Sequence, residues 1–250
     1  MGVWLMGGSF VLGAILIGML PAFLLRKRFS GLQEADTRAV ASDVMARIGV
    51  MHGLILSLVF ASAHNGAQRF EDDMTAEASA ALHVYANAEI YGASELRAAS
   101  RAYLQAASDQ DWPALQQRNE LSNQGWIAWR RMLDASLALQ PVDRRQALVA
   151  EKIQADIWQI QTLREARGYE AANKLSGEFW LVAIVGLVLI AALLFVHRIR
   201  PLHQAIMAMY SGFTGLTLFL IYDMTHPFKG AISIEPTAFR TALQIIQNGL

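Results

Sequence analysis

The sequence contains no cysteine. That removes disulfides, thiolate metal sites and a cysteine nucleophile, and it is compatible with either side of a bacterial membrane. Charge is scarce as well: 17% of residues are charged, against about 25% in an average soluble domain. The balance is zero, with 21 basic and 21 acidic residues, so no electrostatic argument for nucleic acid as a partner arises. GxSxG, Walker A, GxGxxG and HExxH motifs are all missing. His52, His64, His83, His197, His203 and His226 are scattered, with no i, i+4 pair and no carboxylate at ligand spacing. The expectation is no metal, no cofactor and no enzyme.

What is abundant is apolar surface: 54% of residues are hydrophobic and the mean hydropathy is +0.29. These residues gather in four runs. The first, Val3 to Leu25, holds no charge, and roughly 20 residues suffice to cross a hydrocarbon core. Arg26, Lys27 and Arg28 follow it rather than precede it, so it reads as a retained span and not as a signal peptide. Pro21 is expected to kink its last turn. The second run, Ile48 to Ala63, is short and contains His52. Its Gly49, Gly53 and Ser57 recur every four residues, a pattern that lets a helix backbone approach closely, within one chain or between subunits. The third is Phe179 to Val196. The fourth, Leu202 to Tyr222, is the most polar and carries Ser211, Gly212, Thr214, Gly215 and Thr217. Basic residues crowd the loop after the first run and the tight hairpin between the last two, which places both in the cytoplasm.

Residues 65–177 hold one proline, Pro113, and are rich in Ala, Gln, Glu, Arg and Leu, a helix-forming composition. Helices are expected over about Gln68–Tyr91, Ser94–Ala107, Pro113–Leu121, Trp126–Leu139 and Asp143–Lys174. Ile153, Ile157 and Ile160 mark one buried face of the last. The linker from Phe29 to Arg47 reads as an amphipathic cytoplasmic helix, lying on the membrane surface, packed under the bundle or serving as a solvated connector. The expected fold is all-α: a polytopic membrane protein with four transmembrane helices, two plus two, and an extramembrane helical domain between the second and third. The segments are 1–64, 65–177, 178–223 and 224–250, with residues 65–177 and the C-terminus outside the plasma membrane.

His52, Ser211, Thr214, Thr217 and Asp223 are the candidate pore-lining residues. The competing reading is a neutral imidazole bonded to neighbouring backbone, and hydroxyls bonded within the bundle. Gly212 and Gly215 are candidate helix contacts. Glu71, Asp72, Asp73 and Glu77 read as a cation-attracting entrance or as a solvated helix face. Arg164 and Arg167, three apart, read as an anion site or as an ion-pairing set, with Glu165 and Glu170 near in sequence. Trp126, Trp129 and Trp158 suit helix packing. At the end of the fourth run, YDMTHPFKGAIS reads as a helix stop with an ordered turn. Asp223 starts the water-exposed side there, and a last helix begins at Pro236, with Phe239, Leu243 and Ile246 along one side.

Several of these features together resemble the bestrophin-like bacterial membrane-protein family. They are the small-residue span leading to Glu77–Ala78, the step Asp111-Trp112-Pro113, and Arg164 and Arg167 shortly before the third span. The turn Pro227-Phe228-x-Gly230 and the helix start Pro236-x-x-Phe239 complete the set. The likeness covers roughly Gly49 to the C-terminus. Two places depart from the family pattern: LSGEFW lacks a proline before the third span, and the acid before the Pro-Phe turn lies four residues back, at Asp223. The family name implies kinship in general plan with bestrophins, which are oligomeric anion channels. Three functions compete: a homo-oligomeric channel or transporter for ions, small anions foremost; a membrane-anchored binding or scaffold protein; and, last, an envelope enzyme. The expected partners are membrane lipid, further copies of the chain and small ions.

Overall fold

The computed structural model describes residues 2–28, 35–172, 175–196, 200–230 and 234–249. Among the described residues there are helices and no strands: α1 (Gly2–Arg28), α2 (Ala35–Tyr91), α3 (Ser94–Ala106), α4 (Trp112–Arg118), α5 (Asn123–Leu137), α6 (Arg144–Ala172), α7 (Gly177–Leu193), α8 (Pro201–Met224) and α9 (Thr237–Gln247). The chain divides into two compact units. One comprises Met1–Gly66, Leu175–Thr225 and Gly230–Ile232; the other comprises Ala67–Lys174, His226–Lys229 and Ser233–Leu250.

The first unit inverts the usual partition of a soluble protein. Its exposed side chains are large and apolar, among them Leu12, Leu16, Leu54, Leu58, Leu181, Met209 and Phe213, while Ala14, Ala183, Ala191, Ser211 and Thr214 are buried. Water would penalise that arrangement, whereas lipid tails favour it, because close backbone packing and internal hydrogen bonds hold membrane helices together. Three helices are long and apolar enough to cross a membrane: α1, α2 and α8. The fourth expected span is shorter. Apolar α7 has 17 residues, about 26 Å of helix against a core of about 30 Å. A 3₁₀ turn, Leu194–Val196, continues it. The hairpin residues 197–199 lie outside the described residues.

One local expectation changes. Residues 35–47 do not form a separate amphipathic helix. They are the first turns of α2, which runs unbroken to Tyr91; residues 29–34 lie outside the described residues. Pro21 lies inside α1, which continues to Arg28.

Small residues set the crossing of α1 and α8. A Cβ added at Gly215 would lie 2.6 Å from the Phe10 carbonyl oxygen and 2.7 Å from Ala14 Cβ, and one at Gly18 would collide with Ser211. Gly212 lies against Ile15 with ordinary spacing. At one end of these helices Phe10 meets Phe219, Tyr222 and Trp180, with ring centroids 5.5–6.5 Å apart.

The second unit has a conventional core. Along α2 the buried seam is Phe70, Met74, Glu77, Ala81, Val84 and Ala88; along α6 it is Ile153, Ile157, Ile160, Arg164, Arg167 and Ala171. Both follow the alternating four-and-three spacing of a helix packing stripe. Leu96, Tyr103, Leu104, Leu115, Met132 and Phe239 fill the space between. Gly92, with φ +86°, makes the sharp turn between α2 and α3, a conformation open to glycine because it has no Cβ. No side chain caps α3, which begins at Ser94. The segment after α3 is not a simple break. Ala107–Asp111 forms one π-helical turn leading into α4, where Pro113 has no N–H to give to the turn before it.

Candidate functional site

Both seams of the second unit carry charge where the pattern calls for apolar side chains. Glu77 replaces a core residue of α2, and Arg164 and Arg167 replace two of α6. The π turn brings Asp111 to the same place, and all four side chains are within 1% of complete burial. The Arg167 guanidinium forks onto Glu77, Nε donating to Oε2 at 3.0 Å and Nη2 to Oε1 at 2.8 Å. Its Nη2 also donates to Asp111 Oδ2 at 3.1 Å. Arg164 forks onto Asp111 through Nη1 and Nη2, and Nη2 donates to the Ser122 carbonyl at 3.1 Å. The Tyr103 hydroxyl donates to Glu77 Oε1.

Ser122 caps α5 and closes the network. Its Oγ donates to Asp111 Oδ1 at 2.6 Å and accepts from Gly125 N at 3.1 Å, while its own N–H donates to Asp111 Oδ1 at 3.0 Å. Aromatic faces sandwich the guanidinium groups. Arg164 Cζ lies 4.9 Å from the Trp126 ring centre, and Arg167 Cζ lies 5.3 Å from that of Phe239 and 5.9 Å from that of Trp112. One N–H of each, Arg164 Nε and Arg167 Nη1, has no acceptor among the described residues.

Two carboxylates and two guanidiniums make the cluster neutral. Burial alone would push the Asp111 carboxyl up, but the hydrogen bonds from Arg164 and the charges of Arg167 and Arg164 outweigh it and hold the group below its ordinary range. Burial first, then the Glu77 charge, raises the Tyr103 phenol well above its ordinary value despite the two arginines. The arrangement offers no accessible nucleophile or base, since each carboxylate is already held by a fork. It ties α2, α3, the π turn, α5, α6 and α9 to one point.

Of the two readings of Arg164 and Arg167, the ion-pairing set holds and the open anion site does not, with Glu77 and Asp111 as partners rather than the nearby Glu165 and Glu170; Glu165 takes a hydrogen bond from Gln161. Glu77 also leaves the acidic group: Glu71 and Asp72 are exposed while Glu77 faces the core. Of the motif residues, Trp112 and Phe228 join the cluster from the other side. Their rings meet edge to face at 5.4 Å, Phe228 meets Phe70 at 5.2 Å, and Trp112 Nε1 donates to the Ile234 carbonyl. Pro227, whose carbonyl accepts from Ile234 N, Pro113 and Gly230 act through the backbone; Pro113 is exposed and Gly230 only partly covered. Asp111 carries half of the negative charge, and only its place in the Asp-Trp-Pro step drew notice in the sequence. The detectable signal was a charge inside an apolar seam, at Glu77 and at the two arginines.

Packing is tight around the arginines. A Cβ at Gly125 would run into the Arg164 guanidinium, with Cζ 2.6 Å away, and that group cannot swing aside while Asp111 and Ser122 hold it. Gly125→Ala is expected to cost about 1–3 kcal/mol through overpacking. Gly168→Ala, which meets only the tip of Leu121 at 2.9 Å, is expected to cost far less. Thermal melts of the two variants side by side check the contrast.

In the first unit the candidate pore-lining residues turn inward. His52 is 3% exposed and packs on Gly186, where an added Cβ would sit 2.5 Å from its ring. Its Nε2 lies 2.9 Å from the Ala183 carbonyl and its Nδ1 2.9 Å from the Tyr210 hydroxyl. A carbonyl only accepts, so Nε2 carries a proton, while Nδ1 and the Tyr210 hydroxyl share the second hydrogen bond. Ser211 is buried against Gly18, Thr214 Oγ1 donates to the Tyr210 carbonyl and Thr217 Oγ1 to the Phe213 carbonyl, both at 3.0 Å. These side chains stand at helix interfaces or bond to their own helix, and none faces an open passage within one chain. Asp223 corrects the reading of the C-terminal end of α8: it is 6% exposed, a buried group rather than the start of the water-exposed side. Gly49 and Gly53 behave in the opposite way. Nothing lies within 4 Å of a Cβ at either, and Gly53 and Ser57 are exposed, so among the described residues no helix packs closely on Gly53 and Ser57.

Comparison with curated proteins and with solved structures returns no match. A family model does match: the Bestrophin-like domain, over residues 12–239. That range takes in every helix from the middle of α1 to the start of α9, and with it the four charged residues of the buried cluster. The chain belongs to the Bestrophin-like domain family.

Proposed function

We propose that the chain is one subunit of a homo-oligomeric membrane protein that passes small ions, anions foremost, along a path formed between subunits. The carrying observation is the contrast between two sets of small and polar residues. Those of α8, with His52, are used up inside the chain. The α2 stripe of Gly53 and Ser57 is exposed with nothing opposite. A bare small-residue face on a span suits close approach of a second helix, and serine hydroxyls can line a passage without a charge penalty. α7 with its 3₁₀ extension serves as the fourth span. The basic loops lie in the cytoplasm and residues 65–177 outside a bacterial plasma membrane, as the Lys and Arg distribution favours. The second reading, a membrane anchor for a binding domain, draws on the burial of His52, Ser211 and Thr214 inside the chain, which needs no conduit.

The absence of cysteine makes the test clean. Ser57→Cys, oxidised in liposomes, is expected to give disulfide-linked copies, while Phe213→Cys on the outer face of α8 does not. Liposomes carrying the parent chain are expected to release halide, and Gly53→Phe to reduce release to that of empty liposomes. A chain that stays monomeric in lipid, with no flux for any small ion across pH and voltage, would leave the anchor reading in place.

A further inference from the structure

Asparagine is followed by glycine twice, at Asn65–Gly66 and at Asn248–Gly249. The pairing matters chemically, because a glycine amide carries no side chain to block its approach to the neighbouring carboxamide. The glycine nitrogen can attack Cγ of the asparagine and close a cyclic imide. The backbone decides whether it does: ψ of the asparagine must turn away from its helical value, and the glycine N–H must be free.

The structure separates the two steps. Asn65 and Gly66 lie within α2, which is unbroken from Ala35 to Tyr91. There the Gly66 N–H is committed to the carbonyl four residues back, so ring closure has to wait for the helix to open in its middle. Asn248 lies one residue beyond α9, and both it and Gly249 are exposed. The Asn248 N–H still donates to the Gln244 carbonyl at 3.0 Å, but the Gly249 N–H donates to no carbonyl among the described residues. A fraying helix end opens at almost no cost, whereas a helix interior does not.

We propose that Asn248 is a site of spontaneous deamidation, driven by the chain's own backbone. The Gly249 nitrogen bonds to Asn248 Cγ and gives up its proton; the Cγ–Nδ2 bond breaks and ammonia leaves. Water, the one co-reactant, then opens the ring at either carbonyl and leaves aspartate or isoaspartate at position 248. Nothing is oxidised or reduced. The product sets a negative charge beside the carbonyls that end α9, the negative pole of that helix. α9 delivers Phe239 and Ile246 to the core of the second unit, and the Phe239 ring lies 5.3 Å from Arg167 Cζ. The modification therefore loosens the last turn of a helix that covers the buried cluster.

The test uses the full chain in detergent, aged at neutral pH and sampled by peptide mass mapping. A purified isoaspartyl methyltransferase serves as the probe for the isomerised product. Position 248 is expected to convert at least about tenfold faster than position 65, with isoaspartate among the products. Gly249→Ala is expected to slow conversion at 248 by about tenfold, because its added carbon crowds the attacking nitrogen. Asn248→Asp, made directly, is expected to speed amide exchange in the last turn of α9 by roughly two- to fivefold and to leave that of α6 as it was. Conversion at 248 no faster than at 65 overturns the proposal. So does aspartate without isoaspartate, which would mean direct hydrolysis of the side chain, and so does a rate that Gly249→Ala leaves unchanged. Unaltered exchange in α9 overturns the consequence for that helix. Ion flux enters none of these readouts, so the result stands apart from the proposed conduction.

Discussion

Arg167→Ala is expected to destabilise the second unit strongly at neutral pH. The side chain supplies three of the hydrogen bonds in the buried cluster, two to Glu77 and one to Asp111. Its removal leaves the Glu77 carboxyl buried, with the Tyr103 hydroxyl as its remaining hydrogen bond among the described residues. Breaking a buried pair from one side costs about 3–5 kcal/mol, out of a total of roughly 5–15 kcal/mol for a domain. The loss should be visible as fast amide exchange across α2 after Phe70 and across α6, and as a much lower melting temperature. Arg167→Lys is expected to fall between, because an ammonium cannot fork onto a carboxylate. Glu77→Leu with Arg167→Met removes both charges at once and is expected to recover much of the lost stability, since apolar replacement of a buried pair is often neutral. A fall in melting temperature for Arg167→Ala below about 4 °C, the shift that about 1 kcal/mol gives, would show that the cluster does not hold the unit together.

The same cluster sets a pH window. Asp111 has a folded-state pKa below its ordinary 3.8. Its contribution is therefore full above that value and is lost as pH falls through the lower folded value. Tyr103 has a folded-state pKa well above 10.0. Its contribution is full below pH 10.0 and is lost as pH rises toward the folded value, because the unfolded chain releases that proton first. Stability measured against pH is expected to decline on both flanks. Tyr103→Phe should remove the alkaline decline that this group causes and leave the acid one.

Gly215→Ala is expected to open the crossing of α1 and α8, although it adds a single methyl group. The new carbon would sit 2.6 Å from a backbone oxygen, 2.7 Å from Ala14 Cβ and 2.9 Å from the Val11 Cα. None of these is the tip of a flexible side chain, so α1 itself must move. Overpacking of this kind costs about 1–3 kcal/mol. Gly13→Ala, on α1 with nothing within 4 Å of its added carbon, is expected to be neutral or to gain up to about 1 kcal/mol from helix propensity. One chemical change thus gives opposite signs at two sites. Detergent melts followed by tryptophan fluorescence, with Trp180 near the crossing, check it; equal effects at the two glycines would mean that the close approach is not maintained in solution.

Much of the architecture was legible before any coordinates. Charge-free runs marked the spans, because a helix crossing lipid must be apolar over about 20 residues. Ile153, Ile157 and Ile160 showed the buried face of α6, because a helix repeats every 3.6 residues. The motif residues from Glu77 to Phe239 pointed to the family that the match over residues 12–239 shows. Composition and periodicity are properties of neighbours along the chain, and these conclusions needed nothing more.

Partnership is different, and only the tertiary structure decided it. Arg167 finds Glu77 across 90 residues and Asp111 across 56, while the acids close by, Glu165 and Glu170, are not its partners. Local spacing could show that the arginines share the isoleucine face, but it could not supply the carboxylates that make such burial tolerable. The spans show the same limit. Gly53 and Ser57 obey the same small-residue rule as Gly215 and Ser211, yet one pair is bare and the other is packed against α1. A small polar residue suits a close helix crossing and an open face equally well, so its type cannot say which it meets. That depends on what the rest of the chain brings opposite it.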